Sequence, residues 1–327
     1  MCNGLQWQPR NQYYVKAGAR GLTWKDERPE SMSDYRARID TVRQPYVAHE
    51  NGQWCAFPNF EETYKYTGVN KAKNFEIFRD VLKDNHMADM GHKFLMASGK
   101  LQALCYKHEL EKTLRTPDYA GFQLLGLNDY SGQGSALVGV IDANFEEKGY
   151  ISASEFRRFC SPVVPLARIP KFVYTNDETF QAEVEVAQFG EKALKNVETT
   201  YLIKDVNGIL YGGGSLGRKD LPVGNNISLG NIKMDLSAIE KPVKLNLEVR
   251  IQGTDAVNDW DFWVYPAQVT TQSGDVYVTE TLDKQALDIL EKGGKVLITA
   301  AGKISYGKNI VQHFTPVFWN TSWFKMR

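Results

Sequence analysis

The segment PYVAHENGQWCAF (45–57) begins with a short β-favouring run, and AGFQLLGLNDY (120–130) is a second run of strand length. Between them, KAKNFEIFRDVLKDN (71–85) and HKFLMASGKLQALCYKHELEKTL (92–114) carry apolar residues at the three- and four-residue spacing of amphipathic helices. These apolar positions are Phe75, Phe78, Leu82, Leu95, Leu101, Leu104, Leu110 and Leu114. The order strand, helix, helix, strand predicts an α/β layer, with the loops after the strands as the expected place for chemistry.

The hydrophobic period changes from 3.6 to 2 beyond a proline-rich stretch. SASEFRRFC (152–160) predicts one more helix, with a Ser N-cap at Ser152 and Glu155 three residues later. SPVVPLARIPK (161–171) then carries three prolines in eleven residues, so we expect a domain boundary there.

The region after that boundary has the pattern of an antiparallel β-sandwich. TFQAEVEVAQFG (179–190) and VKLNLEVRIQG (243–253) alternate, and NDWDFWVYP (258–266) is an aromatic strand closed by proline. VETTYLIKDVNGILYGGG (197–214) holds Asn207-Gly208 between two β-rich runs, which is a strong hairpin signal. About seven short strands over roughly 100 residues fit a sandwich.

The last part of the chain returns to an α/β pattern. DVYVTETL (275–282) is a short strand, DKQALDILEKGG (283–294) a helix that ends at glycine, and KVLITAA (295–301) a second strand. One βαβ unit cannot bury both faces of its sheet. We therefore expect the sequence to be cut within a domain.

Composition excludes several classes of protein. The chain has 327 residues, 43% of them hydrophobic, and 39 Lys and Arg balance 39 Asp and Glu. Because there is no net charge to attract phosphates, we expect neither a nucleic-acid partner nor a membrane-surface partner. No apolar stretch approaches the ~18 residues of a membrane span, and the N-terminus lacks a signal-peptide core. The four cysteines have no metal-site spacing, so we interpret them as buried or free thiols.

The first segment that predicts chemistry is YVAHENGQWCAFPNF (46–60). Its strand delivers His49 and Glu50 into a turn that is followed by Gln53 and Trp54. A carboxylate at the carboxyl end of a barrel strand faces the mouth of the barrel, and a tryptophan suits the apolar face of a sugar ring. The alternative is that Glu50 caps a loop or pairs with an arginine, and residue types alone favour that alternative.

The second segment is GFQLLGLNDYSGQGSALVGVIDANF (121–145). Its strand ends in Asn128 and Asp129, two short polar side chains that can hydrogen-bond sugar hydroxyls. Asn-Asp-Tyr-Ser-Gly is equally ordinary turn chemistry, which is the alternative favoured without further context.

Other motifs give weaker signals. GGGS (212–215) lacks the GK[ST] of a phosphate loop and is interpreted as a flexible turn. His86, His92 and His108 are interpreted as surface residues, so no metal site is predicted. The acidic residues of NDWDFW are assigned to the alternation of a strand rather than to a calcium site.

At these segments the chain resembles a known enzyme family. HENGQWCAFPNFEETYKYTGVNKAKNFEIFRD, FLMASGKLQALCYKHELE, GFQLLGLNDYSGQGSALVGVIDANFEEKGY and EFRRFC are similar to the C-terminal half of the (β/α)8 barrel of bacterial family 2, β-galactosidase-like glycoside hydrolases. The resemblance extends into the sandwich through LPVGNNISLGNI (221–232) and NDWDFWVYP. Two departures are Asn51, where relatives have an aliphatic residue, and Asn128, where relatives tend to have histidine.

The resemblance implies roles for individual residues. Glu50, at the end of the seventh barrel strand, would be the nucleophile of a retaining enzyme that uses no cofactor. His49, Gln53, Trp54, Asn128 and Asp129 would line the site for a carbohydrate, a β-linked glycan or galactoside. The acid/base glutamate of the family comes from the fourth strand, and the roughly 45 residues before Glu50 are too few for four βα units of about 30 residues each. We therefore expect a fragment that lacks its acid/base and is inactive alone.

The resulting prediction is a multidomain α/β plus all-β chain. Residues 1–165 would form part of a TIM barrel, 166–270 an immunoglobulin-like β-sandwich, and 271–327 the start of a C-terminal α/β domain. A homo-oligomer or an upstream chain would cover the open barrel edges. The parent enzyme would be periplasmic or secreted. The competing hypothesis is a non-catalytic carbohydrate-binding or scaffolding protein, and nucleotide binding is disfavoured because no GxGxxG follows the strand at 275.

Overall fold

The computed structural model describes residues 29–39, 46–51, 54–69, 71–130, 137–303 and 317–318. The described residues up to Tyr265, together with Val317–Phe318, belong to one compact unit, and those from Pro266 to Lys303 belong to a second. Within the described residues, no helix is both long and apolar enough to cross a membrane.

The first unit begins with an α/β region built on one parallel strand pair. The elements in chain order are the helix α1 (Arg36–Ile39), β1 (Tyr46–Asn51), β2 (Trp54–Cys55), a 3-10 helix (Phe60–Lys65), α2 (Lys73–Asp84), a short 3-10 turn (Ala88–Met90), α3 (Gly91–Leu114), β3 (Tyr119–Leu124) and α4 (Ala153–Arg157). β1 pairs with β3 in parallel, with Ala48 opposite Phe122 and Asn51 opposite Leu124. β14 (Val317–Phe318) pairs with β2 in antiparallel orientation. The predicted order strand, helix, helix, strand is confirmed.

The described strands of the α/β region do not form the predicted TIM barrel. In the described part of the chain the α/β region contributes the two-stranded β1–β3 sheet and the small β14–β2 pair, and these strands close no barrel. A parallel pair needs a long crossover, and α2 and α3 provide it.

The short helix α4 follows from its capping sequence. Ser152 has an extended backbone, its hydroxyl accepts a hydrogen bond from the Glu155 amide, and the Glu155 carboxylate accepts one from the Ser152 amide. This reciprocal pair satisfies two of the donors that a helix leaves unpaired at its start. The predicted capping box is confirmed.

The β-sandwich is confirmed, and it consists of two sheets. The strands are β4 (Val163–Arg168), β5 (Val173–Thr175), β6 (Thr179–Gln188), β7 (Leu194–Asp205), β8 (Leu210–Leu221), β9 (Gly224–Asp235), β10 (Val243–Ile251) and β11 (Val257–Tyr265). One sheet has the order β5-β11-β10-β7-β8 and the other β4-β6-β9. The proline-rich stretch at which we expect a domain boundary contains the strand β4, and Pro165 is tolerated because β4 lies at a sheet edge.

The core of the sandwich lies between the alternating inner faces of the two sheets. The rings of Phe180 on β6 and Phe262 on β11 stack with centroids 4.1 Å apart, and Tyr174 packs edge-on against both. Burying side chains of this size removes a large apolar area from water, which is the main stabilising term of such a layer.

The β7–β8 hairpin corrects one sequence interpretation. Its turn forms at Asn207-Gly208 as predicted, where Gly208 has φ of 82° and the Asp205 carboxylate accepts from the amides of Asn207 and Ile209. GGGS, interpreted as a flexible turn, instead lies inside β8. Gly212, Gly213 and Gly214 pair with β7, so the period-2 pairing of the hairpin outweighs the low strand propensity of glycine.

The second unit is one βαβ element. β12 (Val276–Thr279) pairs in parallel with β13 (Lys295–Ile298), and α5 (Lys284–Glu291) connects them. The Asp283 side chain accepts a hydrogen bond from the Ala286 amide and caps α5. Gly293, just beyond the helix, has φ of 76°.

Candidate functional site

The carboxyl ends of β1 and β3 lie side by side. His49 and Glu50 are the fourth and fifth residues of β1, and the β3 end opposite them continues into Asn128 and Asp129. The parallel pairing therefore brings the backbones of the two predicted segments to one sheet edge. The side chains of His49 and Glu50, and the whole of Gln53, lie outside the described residues.

Trp54 lies in the interior. Its side chain is 1% exposed, and its indole Nε1 donates a hydrogen bond to Oε1 of Glu109 on α3 at 3.1 Å. Cys105 packs in the same small apolar cluster. Within the described residues, α3 therefore covers the Trp54 ring, which the sequence analysis assigns to the sugar site.

Asn128 and Asp129 have different environments. Asn128 is half-buried, and its side-chain amide donates to the Asp129 carbonyl at 3.1 Å. Asp129 is 3% exposed, and its carboxylate accepts a hydrogen bond from the Gly139 amide at 2.9 Å and forms an ion pair with Lys148 at 2.5 Å. Burial raises the pKa of Asp129 to about 6, although Lys148 and Gly139 oppose the shift.

Gly139 is the point at which several buried side chains meet. Lys148 Nζ donates to the Gly139 carbonyl at 2.8 Å. The Tyr150 hydroxyl lies within hydrogen-bond distance of two acceptors, the Gln102 side-chain oxygen and, at 3.1 Å, the Gly139 carbonyl. We call Gln102, Asp129, Gly139, Lys148 and Tyr150 the Gly139 cluster. All five residues are buried.

A further buried carboxyl faces this cluster. Glu62, on the 3-10 helix, is 1% exposed, and its Oε2 accepts no hydrogen bond from any described residue. Burial, followed by the nearby Asp129 charge, raises the pKa of Glu62 to about 7. Glu62 therefore holds its proton at neutral pH far more readily than an ordinary glutamate does.

A second ion pair lies beside Glu62. Lys65 bonds Asp142 and Glu146 at 2.5 and 2.7 Å. Although burial acts in the opposite direction, this lysine holds the pKa of Asp142 below its usual value. The Asp142 carboxylate also accepts from the amides of Asn144 and Glu146, which closes the turn there.

Among the described residues, the side chains that could ligate a metal ion include His, Cys, Asp and Glu, and those that could act as thiol nucleophiles are the cysteines. Across these residues, no group of three or more His, Cys, Asp and Glu is placed to hold a metal ion. Cys55 and Cys105 are buried and Cys160 is half-buried, as predicted, whereas Cys2 lies outside the described residues. Burial raises the pKa of Cys55 to about 12, so its thiol stays protonated.

Comparisons with known proteins give family matches and distant structural neighbours. Residues 178–266 match a domain of unknown function, DUF8488, and residues 277–327 match a second one, DUF8487. No curated protein is similar to the chain in sequence. The neighbours among solved structures include glycoside hydrolases.

The individual similarities are low and partial. The β-glucuronidase of Parabacteroides merdae is 15% identical over 32% of this chain and 14% of its own, with a TM-score of 0.25. The exo-chitosanase CsxA of Amycolatopsis orientalis is 11% identical over 75% of this chain and 31% of its own, with a TM-score of 0.35. A CARDB domain from Pyrococcus furiosus is 17% identical over 32% of this chain and 93% of its own, with a TM-score of 0.24. The chain thus spans less than a third of the length of either enzyme.

Sequence reasoning found Asp129 and missed its partners. Lys148 stands in the charged run EEKGY, which has the pattern of an exposed turn, and Glu62 stands in the polar run FEETYK. Both side chains are nevertheless buried in the folded chain, Glu62 at 1% and Lys148 at 6% exposure. Gly139 carried a weak signal, as a glycine within the apolar run ALVGV.

His108 corrects another interpretation. The histidine assigned to the surface is 7% exposed, and burial lowers its pKa well below the ordinary value. The helix α3 is buried on every side from His108 to Leu114, whereas Leu104, placed on the apolar stripe, is 56% exposed. The apolar spacing predicts where α3 lies, but it does not predict which residues of a helix covered on all sides are buried.

Proposed function

We propose that this chain supplies the nucleophile of a retaining, β-galactosidase-like glycoside hydrolase of family 2, and that Glu50 is that nucleophile. The observation that carries the proposal is the parallel pairing of β1 with β3, which puts the Glu50 strand end next to the strand end leading to Asn128. In α/β folds, ligands bind at the carboxyl ends of parallel strands. His49, Gln53 and Asn128 would line the sugar site.

The reaction assigned to Glu50 is nucleophilic substitution at the anomeric carbon. The carboxylate attacks that carbon, the glycosidic bond to the leaving oxygen breaks, and a covalent glycosyl-enzyme forms. Water then cleaves the ester, and the configuration of the sugar is retained. We assign the acid/base carboxyl, which protonates the leaving oxygen in this mechanism, to none of the described residues.

The experiment uses a leaving group that needs no protonation. A 2,4-dinitrophenyl 2-deoxy-2-fluoro-β-galactoside is incubated with the chain, and release of one equivalent of dinitrophenolate is followed by absorbance. We expect a single-turnover burst that is lost in Glu50→Gln and kept in Glu61→Gln. Glu61 is the matched control because it is an exposed glutamate of the neighbouring 3-10 helix.

The outcomes separate the two classes of function. No burst from the folded chain with galactosyl, glucosyl, glucuronyl or glucosaminyl reagents contradicts the nucleophile. Binding of the same sugars in calorimetry without a burst supports the competing hypothesis of a non-catalytic carbohydrate-binding protein.

The TIM-barrel and immunoglobulin-like assignments belong to this proposal. Under it, residues 1–165 form part of a (β/α)8 barrel, 166–270 an immunoglobulin-like sandwich and 271–327 part of a further α/β domain. The two-layer sandwich core and the βαβ unit at Val276–Ile298 support this division.

A further inference from the structure

Asp129 and Lys148 form an ion pair that is removed from solvent. Asp129 is 3% and Lys148 6% exposed, and their side chains meet at 2.5 Å. A buried ion pair adds little to the free energy of unfolding, because the desolvation of both charges opposes their attraction. It can still fix the positions of the groups that bond to it. Each partner becomes costly once the other is removed.

The pair holds the backbone of one residue, Gly139. Asp129 accepts from the Gly139 amide at 2.9 Å, and Lys148 donates to the Gly139 carbonyl at 2.8 Å. The backbone of Gly139 is so close to Asn128 and Asp129 that an added Cβ would stand 2.2 Å from the Asn128 carbonyl carbon. The position of residue 139 is therefore fixed on both sides of its Cα.

Hydrogen bonds connect the segment that contains Gly139 to β2. Two residues earlier, the Leu137 carbonyl accepts from the Ala56 amide at 3.0 Å and from Gln102 Nε2, also at 3.0 Å. The same Gln102 nitrogen donates to the Trp54 carbonyl at 2.5 Å. A continuous set of hydrogen bonds thus runs from Asp129 to Trp54.

Trp54 is three residues beyond Asn51, the last residue of β1. β1, which carries Glu50, is therefore held by its pairing with β3, and β2 is held by the Gly139 cluster. A displacement of about 1 Å at a reacting group can reduce a rate about a hundredfold.

We propose that Asp129 and Lys148 are positioning residues for the Glu50 strand end, rather than sugar contacts. This inference rests on the proposed function, and it assigns Asp129 a role that differs from the one its sequence context predicts. It requires that the ion pair act as a unit, so removing either partner has the same effect as removing both.

The test separates positioning from sugar binding by kinetics. The dinitrophenyl fluorogalactoside is titrated against the wild-type chain, Asp129→Asn, Lys148→Met and the double variant. We expect the limiting rate of dinitrophenolate release to fall at least about tenfold in all three variants. The concentration of half-saturation should stay within about twofold of wild type. A sugar contact would instead raise the half-saturation concentration in Asp129→Asn and leave Lys148→Met unchanged.

A matched variant controls for general loss of stability. Glu185→Gln removes one partner of the half-buried Arg168–Glu185 pair in the sandwich, at 3.1 Å, without touching the Gly139 cluster. We expect its limiting rate to equal that of wild type even if its melting temperature falls. A rate loss in Glu185→Gln equal to that in Asp129→Asn would overturn the inference.

Hydrogen exchange tests the same inference without any sugar. Peptides covering 54–57 and 137–140 should exchange at least about tenfold faster in Asp129→Asn, while peptides from β10 keep their protection. Unchanged exchange at 54–57 overturns the inference whatever the kinetics show. A wild-type chain that releases no dinitrophenolate contradicts the proposed function, whereas a normal burst in Asp129→Asn contradicts only the positioning role.

Discussion

The indole Nε1 of Trp260 on β11 donates a hydrogen bond to Oε2 of Glu111 on α3 at 3.0 Å, and both side chains are buried. The Asn258 amide donates to the other oxygen at 2.8 Å, and Lys107 and Arg115 pair with the same carboxylate. One glutamate of the α/β region thus satisfies two side chains of the sandwich. This contact joins the two regions, which belong to one compact unit.

Removing Glu111 should weaken the whole unit. Glu111→Ala leaves Arg115, which is fully buried, without this carboxylate, and we expect a loss of about 3 kcal/mol or more in the free energy of unfolding. Urea unfolding followed by tryptophan fluorescence measures it. Glu198→Ala, which breaks the exposed Glu198–Arg218 pair, should cost less than about 1 kcal/mol. Equal losses in the two variants would contradict the assigned role.

Gly139 should not tolerate a side chain. In Gly139→Ala the new Cβ would lie 2.2 Å from the Asn128 carbonyl carbon and 2.3 Å from the Asp129 nitrogen, so backbone must move. We expect destabilisation of about 3 kcal/mol, seen as a lower midpoint in thermal unfolding. Gly68→Ala is the control, because nothing lies within 4 Å of its Cβ position. A melting temperature of Gly139→Ala within error of wild type would show that the Gly139 packing is wrong.

Glu62 should make the stability of the chain depend on pH. Its pKa rises from 4.5 in the unfolded chain to about 7 in the folded protein, so the folded state binds the proton more tightly. The stabilisation is complete below pH 4.5 and is lost as the pH rises through 7. Glu62→Gln stays neutral, and it should therefore lie within about 1 kcal/mol of wild type at pH 5 and exceed it by about 3 kcal/mol at pH 8.

The difference between variant and wild type isolates this carboxyl. The contributions of other titrating groups that are common to both proteins cancel in this difference. Urea unfolding at pH 5 and pH 8 gives the two differences, and the exposed Glu61→Gln should show none at either pH. A variant that is equally displaced from wild type at both pH values would mean that Glu62 titrates normally.

Trp54 should act through packing. Trp54→Phe keeps an aromatic ring but removes the indole donor that bonds Glu109, and we expect a loss of about 1–2 kcal/mol in unfolding free energy. Because the ring is 1% exposed, the half-saturation concentration of the fluorogalactoside should not change. A severalfold increase in that concentration, with an unchanged free energy of unfolding, would show that Trp54 contacts the sugar.

Much of the fold follows from the hydrophobic periodicity of the sequence and from its capping and turn residues. The helices α2 and α3 begin and end within two residues of the segments whose apolar spacing predicts them, and β6, β10 and β11 match their alternating runs. These elements follow local rules: a one-sided apolar stripe, a capping box at Ser152, a turn at Asn207-Gly208. Such local rules suffice to predict a helix or strand that has one buried face and one solvent-exposed face.

The site depends on long-range packing that local rules do not encode. Glu62, Gln102 and Lys148 are polar residues buried by segments far from them in sequence, and no spacing predicts which lysine will meet Asp129. β4 was hidden by Pro165, because prolines usually interrupt strands and only its edge position permits one. The TIM barrel and the roles of the site residues come from the family resemblance and stay predictions.

The central claim is that Glu50 attacks the anomeric carbon, and peptide mass mapping of the chain after reaction with the dinitrophenyl fluorogalactoside tests it most directly. The account predicts one fluoroglycosyl adduct, on the peptide that contains Glu50, with the fragment ions locating it at that carboxylate. An adduct on any other carboxylate, or an unmodified Glu50 peptide in a folded chain that has released one equivalent of dinitrophenolate, would contradict it.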